Sequence, residues 1–216
     1  MMKEKIIIDL KFLQQRTCYH RLKRIFDVFV SSLALLVLWP VFLVIGILIK
    51  LEDGGQVIFS QERVGKNGQV FKMYKFRSMH MDAETRLATL LAQNEVEGPM
   101  FKMKNDPRVT RIGRFLRKTS LDEFPQLINV CLGQMSLVGP RPPLVREVAQ
   151  YTPYDKQRLL VTPGCTGWWQ VTARNHTGFT GMVKRDLEYI QKANLWLDLK
   201  IICLTVKVVF VPNGAY

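Results

Sequence analysis

Histidine is scarce in this chain of 216 residues: His20, His80 and His176 stand far apart. That spacing supplies neither an H-E-x-x-H zinc helix nor a Ser-His-Asp catalytic signature, and each histidine reads as a surface or hydrogen-bonding residue. Cysteine is no richer. Cys18, Cys131, Cys165 and Cys203 form no C-x-x-C pair, which argues against a zinc site and a disulfide framework and reads as reduced thiols in a cytosolic domain. Internal repeats and low-complexity tracts are absent. Negative charge is in deficit: 18 acidic residues face 31 lysines and arginines, a net +13. Such an excess attracts polyanions, whether nucleic acid, anionic headgroups or phosphorylated substrates, although a merely solvated basic surface carries the same count. Outside one long apolar stretch, the chain has length for one domain with a real core and not clearly for two.

That apolar stretch runs from Phe26 to Ile49, with Asp27 as its only ionisable residue. It is long enough to be a transmembrane candidate, and too long and too late in the chain for a signal peptide. Pro40 removes a backbone donor in its middle and pushes Trp39 away from helical geometry, so a sharp bend is expected there. The leg from Phe26 to Trp39 reaches only about 20 Å, short of a hydrocarbon core of roughly 30 Å. Residues 1–27 carry seven basic and three acidic residues, and residues 50–77 carry six and three. Two basic flanks favour one side of the membrane, hence a re-entrant helix broken at Trp39 and Pro40; a kinked spanning helix is the alternative. Residues 3–24, with Lys11, Arg16, Arg21, Lys23 and Arg24 among Phe12, Leu13, Tyr19 and Leu22, suit an anionic membrane surface. Leu195 to Val211 is apolar but carries Asp198, Lys200 and Lys207, which predicts a helix either in the interface or packed on the domain.

Between these lies an α+β, mostly helical domain. Residues 57–60 and 69–76 around Gly65-Lys-Asn-Gly68 predict a β-hairpin. Lys75 and Arg77 would share one strand face, able to hold a diphosphate or simply wet. Residues 82–93 are helix-compatible with Asp82 as cap. Residues 108–118 hold four arginines and a lysine, an anion-binding density that matches no nucleic-acid motif. The segment 120–133 predicts a single helix, with Ser120 and Glu123 as a capping box and Gly133 as the stop. The same N-terminus, carrying roughly half a positive charge, would keep Asp122 ionised as a nucleophile on phosphorus, with Glu123 as cap, metal partner or both. Gly139-Pro140-Arg141-Pro142-Pro143 is rigid and would present Arg141 in one direction, as phosphate recognition needs. Trp168 or Trp169 could stack on a base or rest at the membrane interface. Residues 185–192 predict a helix with Asp186 and Glu188 near its start.

Taken in order, K-R-I-F-D (23–27), Q-E-R-V-G-K-N-G (61–68), Y-K-F-R-S-M (74–79), K-T-S-L-D-E-F-P-Q-L (118–127), S-L-V-G-P-R-P-P-L (136–144), P-G-C-T-G-W-W-Q-V (163–171) and D-L-E-Y-I (186–190) resemble the bacterial sugar transferases, the monotopic phosphoglycosyl transferases. The resemblance covers roughly residues 20–210. It implies transfer of sugar-1-phosphate from a UDP-sugar to polyprenyl (undecaprenyl) phosphate, with UMP released, in exopolysaccharide or related glycan synthesis. It implies a covalent intermediate on Asp122, with Mg2+ held by Asp122 and Glu123. By position, Lys75, Arg77, Arg117, Arg141, Arg174 and Asp186 would bind substrate. A re-entrant membrane part over 1–50, a catalytic domain over 51–216 on the cytoplasmic face of the bacterial plasma membrane, anionic lipid as a partner and no nucleic acid complete the expectation; a homo-oligomer is left open. Larger relatives carry a multi-span N-terminal region, so this sequence suggests the minimal catalytic form. Trp39 and Ala173 stand where the family often has serine and glycine. Two other classes compete: a membrane-anchored polyanion-binding scaffold using residues 108–118, and a lipid phosphate hydrolase.

Overall fold

The computed structural model describes residues 6–90, 103, 105–173 and 177–210. A short helix, α1 (Leu10–Gln15), is capped by Asp9, whose carboxylate accepts from the Lys11 amide at 2.8 Å. The long helix α2 (Thr17–Asp53) follows and ends at Gly54, whose left-handed φ of 73° lets its amide close on the Lys50 carbonyl. Pro40 lies inside α2, and Trp39 stays helical, contrary to the expected departure from helical geometry. A proline costs an interior hydrogen bond and strains the preceding turn, but a helix this long, with more than three turns on either side, continues through it.

The burial of α2 is concentrated at its two ends. Asp27 and Ser31 are buried near the start, Ile45 and Ile49 near the finish. Between them Leu33, Leu36, Val37, Trp39, Leu43 and Val44 are exposed. Both ends dock on the same body. The Leu137 amide donates to Asp27, and Arg24 donates to the carbonyls of Val130 and Cys131. At the far end, Glu52 accepts from the amides of Arg111 and Ile112. This is the one described helix long and apolar enough to cross a membrane.

Strands β1 (Ile58–Val64) and β2 (Val70–Phe76) form the expected antiparallel hairpin, from Ile58 opposite Phe76 to Val64 opposite Val70. β1 runs four residues beyond the predicted 57–60. Its polar end is stabilised across the ladder, where Glu62 faces Lys72. Helix α3 (Ala83–Leu90) follows, then α4 (Arg111–Lys118), whose N-cap Thr110 accepts from the Gly113 amide. Gly113 lies against the Ser78 backbone so closely that a Cβ would sit 2.0 Å from the Ser78 carbonyl oxygen, which is how α4 reaches the end of β2.

The predicted helix over 120–133 is two elements. A 3-10 turn covers Leu121–Glu123, and helix α5 (Gln126–Cys131) begins after Pro125. Pro125 cannot donate to the preceding turn, so one continuous helix through it is disfavoured. Ser120 takes a left-handed φ of 57° and makes no side-chain cap, so the expected capping box does not form. Gly133, at φ 82°, does end the segment.

A two-stranded parallel ladder, β3 (Ser136–Val138) with β4 (Gly164–Thr166), was not legible as strands. Helices α6 (Val145–Val148) and α7 (Pro153–Lys156) lie between them, and α8 (Trp168–Thr172), α9 (Phe179–Lys192) and α10 (Leu195–Phe210) follow. The main core joins Val138 of β3 to Val183, Leu187 and Ile190 of α9 and to Ile201 of α10. A second cluster of Ile45, Ile49, Phe76 and Leu116 fastens α2 to the hairpin and α4. α9 begins at Phe179, so Asp186 lies in mid-helix rather than near the start. α10 packs on the domain through Asp198 and Ile201, which are buried, and leaves Trp196, Leu199 and Val206 exposed on its other side. Trp169 is a core residue, packed with Ala173 and Met182 and donating to the Thr177 hydroxyl at 3.2 Å, rather than a stacking platform.

Candidate active site

The 3-10 turn brings Asp122 and Glu123 against the end of β2. Lys75 donates to Glu123 Oε1 at 2.7 Å, joining two residues far apart in sequence. Asp122 is 7% exposed. Burial raises its pKa to about 6; the Lys75 ammonium opposes the rise, the adjacent Glu123 carboxylate adds to it, and the Arg117 guanidinium opposes it again. Arg117 reaches the site from the last turn of α4 and is oriented by its Nε–H donating to Ser78 Oγ at 2.9 Å. The α-helix N-terminus expected to hold these carboxylates ionised is replaced by a three-residue turn, so side-chain cations supply the positive field. The result is an ionisable carboxylate, mostly dehydrated, with cations beside it but directed to other partners.

Arg141 sits on a loop whose rigidity has a visible cause. Pro140, Pro142 and Pro143 lack amide protons, yet four successive carbonyls each accept a hydrogen bond. Gly164 donates to Pro140 at 2.9 Å and Val64 to Pro143 at 2.9 Å. Arg158 donates to Arg141 at 3.1 Å, and Arg63 to Pro142 at 3.1 Å. Three separate segments, β1, Arg158 and Gly164, therefore fix the loop. The close approach of Gly139 and Gly164 leaves no room for side chains, since a Cβ on Gly164 would meet the Gly139 nitrogen at 2.0 Å. The Arg141 side chain stays half-buried, with Nη1 4.0 Å from Glu147 Oε1.

Other expected site residues divide. Asp186 is buried in an ion pair with Arg158, Nη2 to Oδ2 at 2.5 Å, and the other Arg158 nitrogen donates to Tyr151 Oη at 2.7 Å. Asp186 therefore acts on Arg141 through Arg158. Arg77 is not joined to the carboxylate pair in this way; it is buried against Asp53 at the end of α2. The shared face predicted for Lys75 and Arg77 is lost because β2 ends at Phe76. Arg174 lies outside the described residues. The basic run 108–118 is also divided: Arg108 is held by Asp106 through Nε at 2.9 Å and Nη2 at 2.6 Å, and Arg117 serves the site.

Arg63, Arg158, Ser78, Tyr151 and Glu147 were not singled out from sequence. Arg63 and Gln61 alternate along β1, and their contact at 2.7 Å is the only local signal that this face is built. Among the described residues no group of three His, Cys, Asp or Glu side chains could hold a metal by itself. The oxygen pair of Asp122 and Glu123 suits Mg2+ only in company with phosphate oxygens, the usual way this ion is bound.

Comparison with known proteins identifies the family. Residues 18–212 match the bacterial sugar transferase family, and the chain belongs to that family. It is 53% identical over 165 residues to galactosyl transferase CpsE of Streptococcus agalactiae, covering 76% of this chain and 37% of that protein. It is 43% identical over 203 residues to the UDP-glucose:undecaprenyl-phosphate glucose-1-phosphate transferase of Escherichia coli, covering 90% of this chain and 41% of that protein. It is also 42% identical over 198 residues to the exopolysaccharide production protein ExoY of Rhizobium meliloti, covering 90% of this chain and 88% of that protein. The chain thus spans about two fifths of CpsE and of the Escherichia coli protein but most of ExoY.

Proposed function

We propose that this protein is a phosphoglycosyl transferase that moves sugar-1-phosphate from a UDP-sugar to polyprenyl phosphate. The observation that carries the reading is Asp122: a buried carboxylate with a pKa of about 6, flanked by Lys75 and Arg117, on the turn against the end of β2. An Asp122 oxygen attacks the sugar-bearing phosphorus, the P–O bond to UMP breaks, and UMP leaves with the bonding electrons. A phosphate oxygen of the lipid then attacks the same phosphorus and releases Asp122 as carboxylate. Arg141 and Arg117 supply positive charge to the phosphoryl oxygens. Asp122 and Glu123 would hold Mg2+ together with the donor diphosphate, and that ion would supply charge neutralisation. Lys75, by engaging Glu123, keeps the pair of carboxylates from repelling each other.

Access to a lipid acceptor follows from α2. Both of its ends pack on one body while its middle is exposed and apolar, which supports a re-entrant helix in one leaflet rather than a span; the basic flanks support a cytoplasmic face. Arg108 and Arg117 of the 108–118 run make internal contacts while Arg111 and Arg114 stay exposed, so the run is not used as one continuous anion-binding patch, which weighs against a polyanion scaffold. The test is a membrane fraction supplied with UDP-sugars, magnesium and polyprenyl phosphate, with UMP followed in the presence and absence of the lipid. Lipid-dependent UMP formation that Asp122→Asn abolishes is expected. Release that is independent of lipid would indicate a hydrolase, and unchanged release in the variant would remove Asp122 as nucleophile.

A further inference from the structure

A cavity of about 830 Å³ lies at the turn end of the hairpin, beneath α1 and the first turns of α2. Its walls include Leu13, Ile25, Val138, Leu160, Val161 and Ile190. Lys66 and Asn67, from the β1–β2 turn, stand at its edge. The carboxylate pair lies at the opposite end of the same strand: from Val70 to Lys75 is about 17 Å at ~3.4 Å per residue. A phosphate bound at this cavity therefore cannot be the one that reacts at Asp122.

The charge around the cavity is lopsided. Arg16, Arg21, Lys23, Arg24 and Lys66 line it, against a single carboxylate, Asp27. Lys23 is balanced by Asp198 at 2.9 Å. Arg16 donates to the carbonyl of Ala193 and Arg24 to those of Val130 and Cys131, which fixes their direction but leaves their charge uncancelled, because a carbonyl is neutral. The Arg16 guanidinium is also sandwiched between the rings of Phe12 and Tyr19, at 5.1 and 4.8 Å from their centroids, so it is held in place before any ligand arrives. A cavity with apolar walls, several oriented cations and a position on the membrane helix has the chemistry of a headgroup phosphate with an acyl chain behind it.

We infer that this cavity binds an anionic phospholipid as a site separate from the catalytic one, the phosphate at Arg16, Arg21 and Lys66 and a chain along Leu13, Val161 and Ile190. Bound lipid would clamp α1 and the start of α2 to β3 and α9. The site makes no use of Asp122 and stands apart from the proposed transfer.

The experiment uses the full chain in neutral detergent, titrated with dioctanoyl phosphatidylglycerol, dioctanoyl phosphatidylcholine or inorganic phosphate, with binding read by calorimetry and by thermal shift. Saturable binding of the phosphatidylglycerol is expected, at least fivefold tighter than either of the other probes. Arg21→Glu combined with Lys66→Glu, both exposed positions, should weaken it about tenfold, and Val161→Trp should abolish it by filling the cavity. Asp122→Asn should bind as the parent does, which separates this test from that of the transfer reaction. Equal binding of the two phospholipids, binding of inorganic phosphate as tight as that of lipid, or undiminished binding in both the charge-reversed and the cavity-filled variants would overturn the assignment.

Discussion

Two buried aspartates, Asp122 and Asp186, lie in the same domain and have opposite surroundings. Asp186 is directly paired: Arg158 meets its Oδ2 at 2.5 Å, and the same guanidinium reaches Tyr151 and the Arg141 carbonyl through its Nη atoms, its Nε being left without a partner. Asp122 has cations for neighbours, but Lys75 is spent on Glu123 and Arg117 is steered by Ser78. A carboxylate locked into a buried pair has its lone pairs committed and is costly to disturb. Burial raises the proton affinity of both carboxylates, so it is the lack of a dedicated partner that leaves Asp122 with an available oxygen. The first arrangement suits a scaffold, and the second suits the nucleophile proposed for Asp122. Burial alone would not tell them apart.

The strongest way to break this contrast is to remove each charge in turn. Asp122→Asn should lower lipid-dependent UMP formation by about a thousandfold or more, as expected on loss of a nucleophile. It should also make the protein more stable. The folded-state pKa of Asp122 lies above the unfolded value of 3.8, so its contribution to stability is favourable at low pH and is lost as pH rises from about 4 through about 6. Above that window the ionised carboxylate costs about 1–3 kcal/mol, which the amide avoids. Thermal melts at pH 7.5 should show the variant above the parent and those at pH 4 should not. A lower melting temperature at pH 7.5 would contradict the strained-carboxylate account.

Asp186 should behave in the reverse sense. Asp186→Leu or Arg158→Met should cost about 3–5 kcal/mol by leaving a buried charge without its partner. Activity should fall with it through the Arg141 loop. The double variant Arg158→Met with Asp186→Leu should regain much of the stability, because no buried charge remains, while activity stays low because the Arg141 carbonyl has lost its donor. Chemical denaturation of the four proteins in a cycle measures the coupling; additive costs would show that the pair is not a unit.

Arg141→Lys should lower kcat/KM by roughly 10–100-fold with little change in melting temperature. A lysine retains the charge but loses the planar, paired donors suited to a phosphoryl group. Its backbone, held by carbonyl acceptors, should be undisturbed. A fold as disrupted as that of the Arg158 variants would show that Arg141 is structural.

How far this contrast could be read from sequence depends on the residue. The carboxylate pair, the hairpin and its Gly65–Gly68 turn, and the stiffness of Gly139–Pro143 were legible because each is written in adjacent residues. The surroundings of Asp122 were not. Lys75 comes from another element, and Pro125, which lacks the amide a continuous helix needs, divides the Ser120 to Gly133 pattern into a 3-10 turn and a helix. Arg158 gave no local sign of burial, since its partners Tyr151, Asp186 and the Arg141 carbonyl converge only in the fold. Position alone therefore placed Asp186 in the substrate site, whereas its contacts make it a support. The apolar run was plain as composition, but the docking of both ends of α2 depends on Arg24, Asp27 and Glu52 meeting backbone groups of distant segments.

The smallest effect expected is also the most specific. Lys75 lowers the pKa of Asp122, so Lys75→Gln should let it rise further above about 6. In the parent, kcat/KM should rise with pH through about 6 as Asp122 loses its proton, then level off. In the variant, the same limb should move to higher pH by up to about one unit, and the plateau should fall only modestly if Lys75 acts through the carboxylates. A plateau that collapses with the limb unmoved would instead assign Lys75 to direct substrate contact. An equivalent change at the other aspartate, Tyr151→Phe, should leave the limb where it is, because the group it touches titrates outside the chemistry. The pH profile thus separates the two carboxylates by a property that neither burial nor ion pairing alone reports.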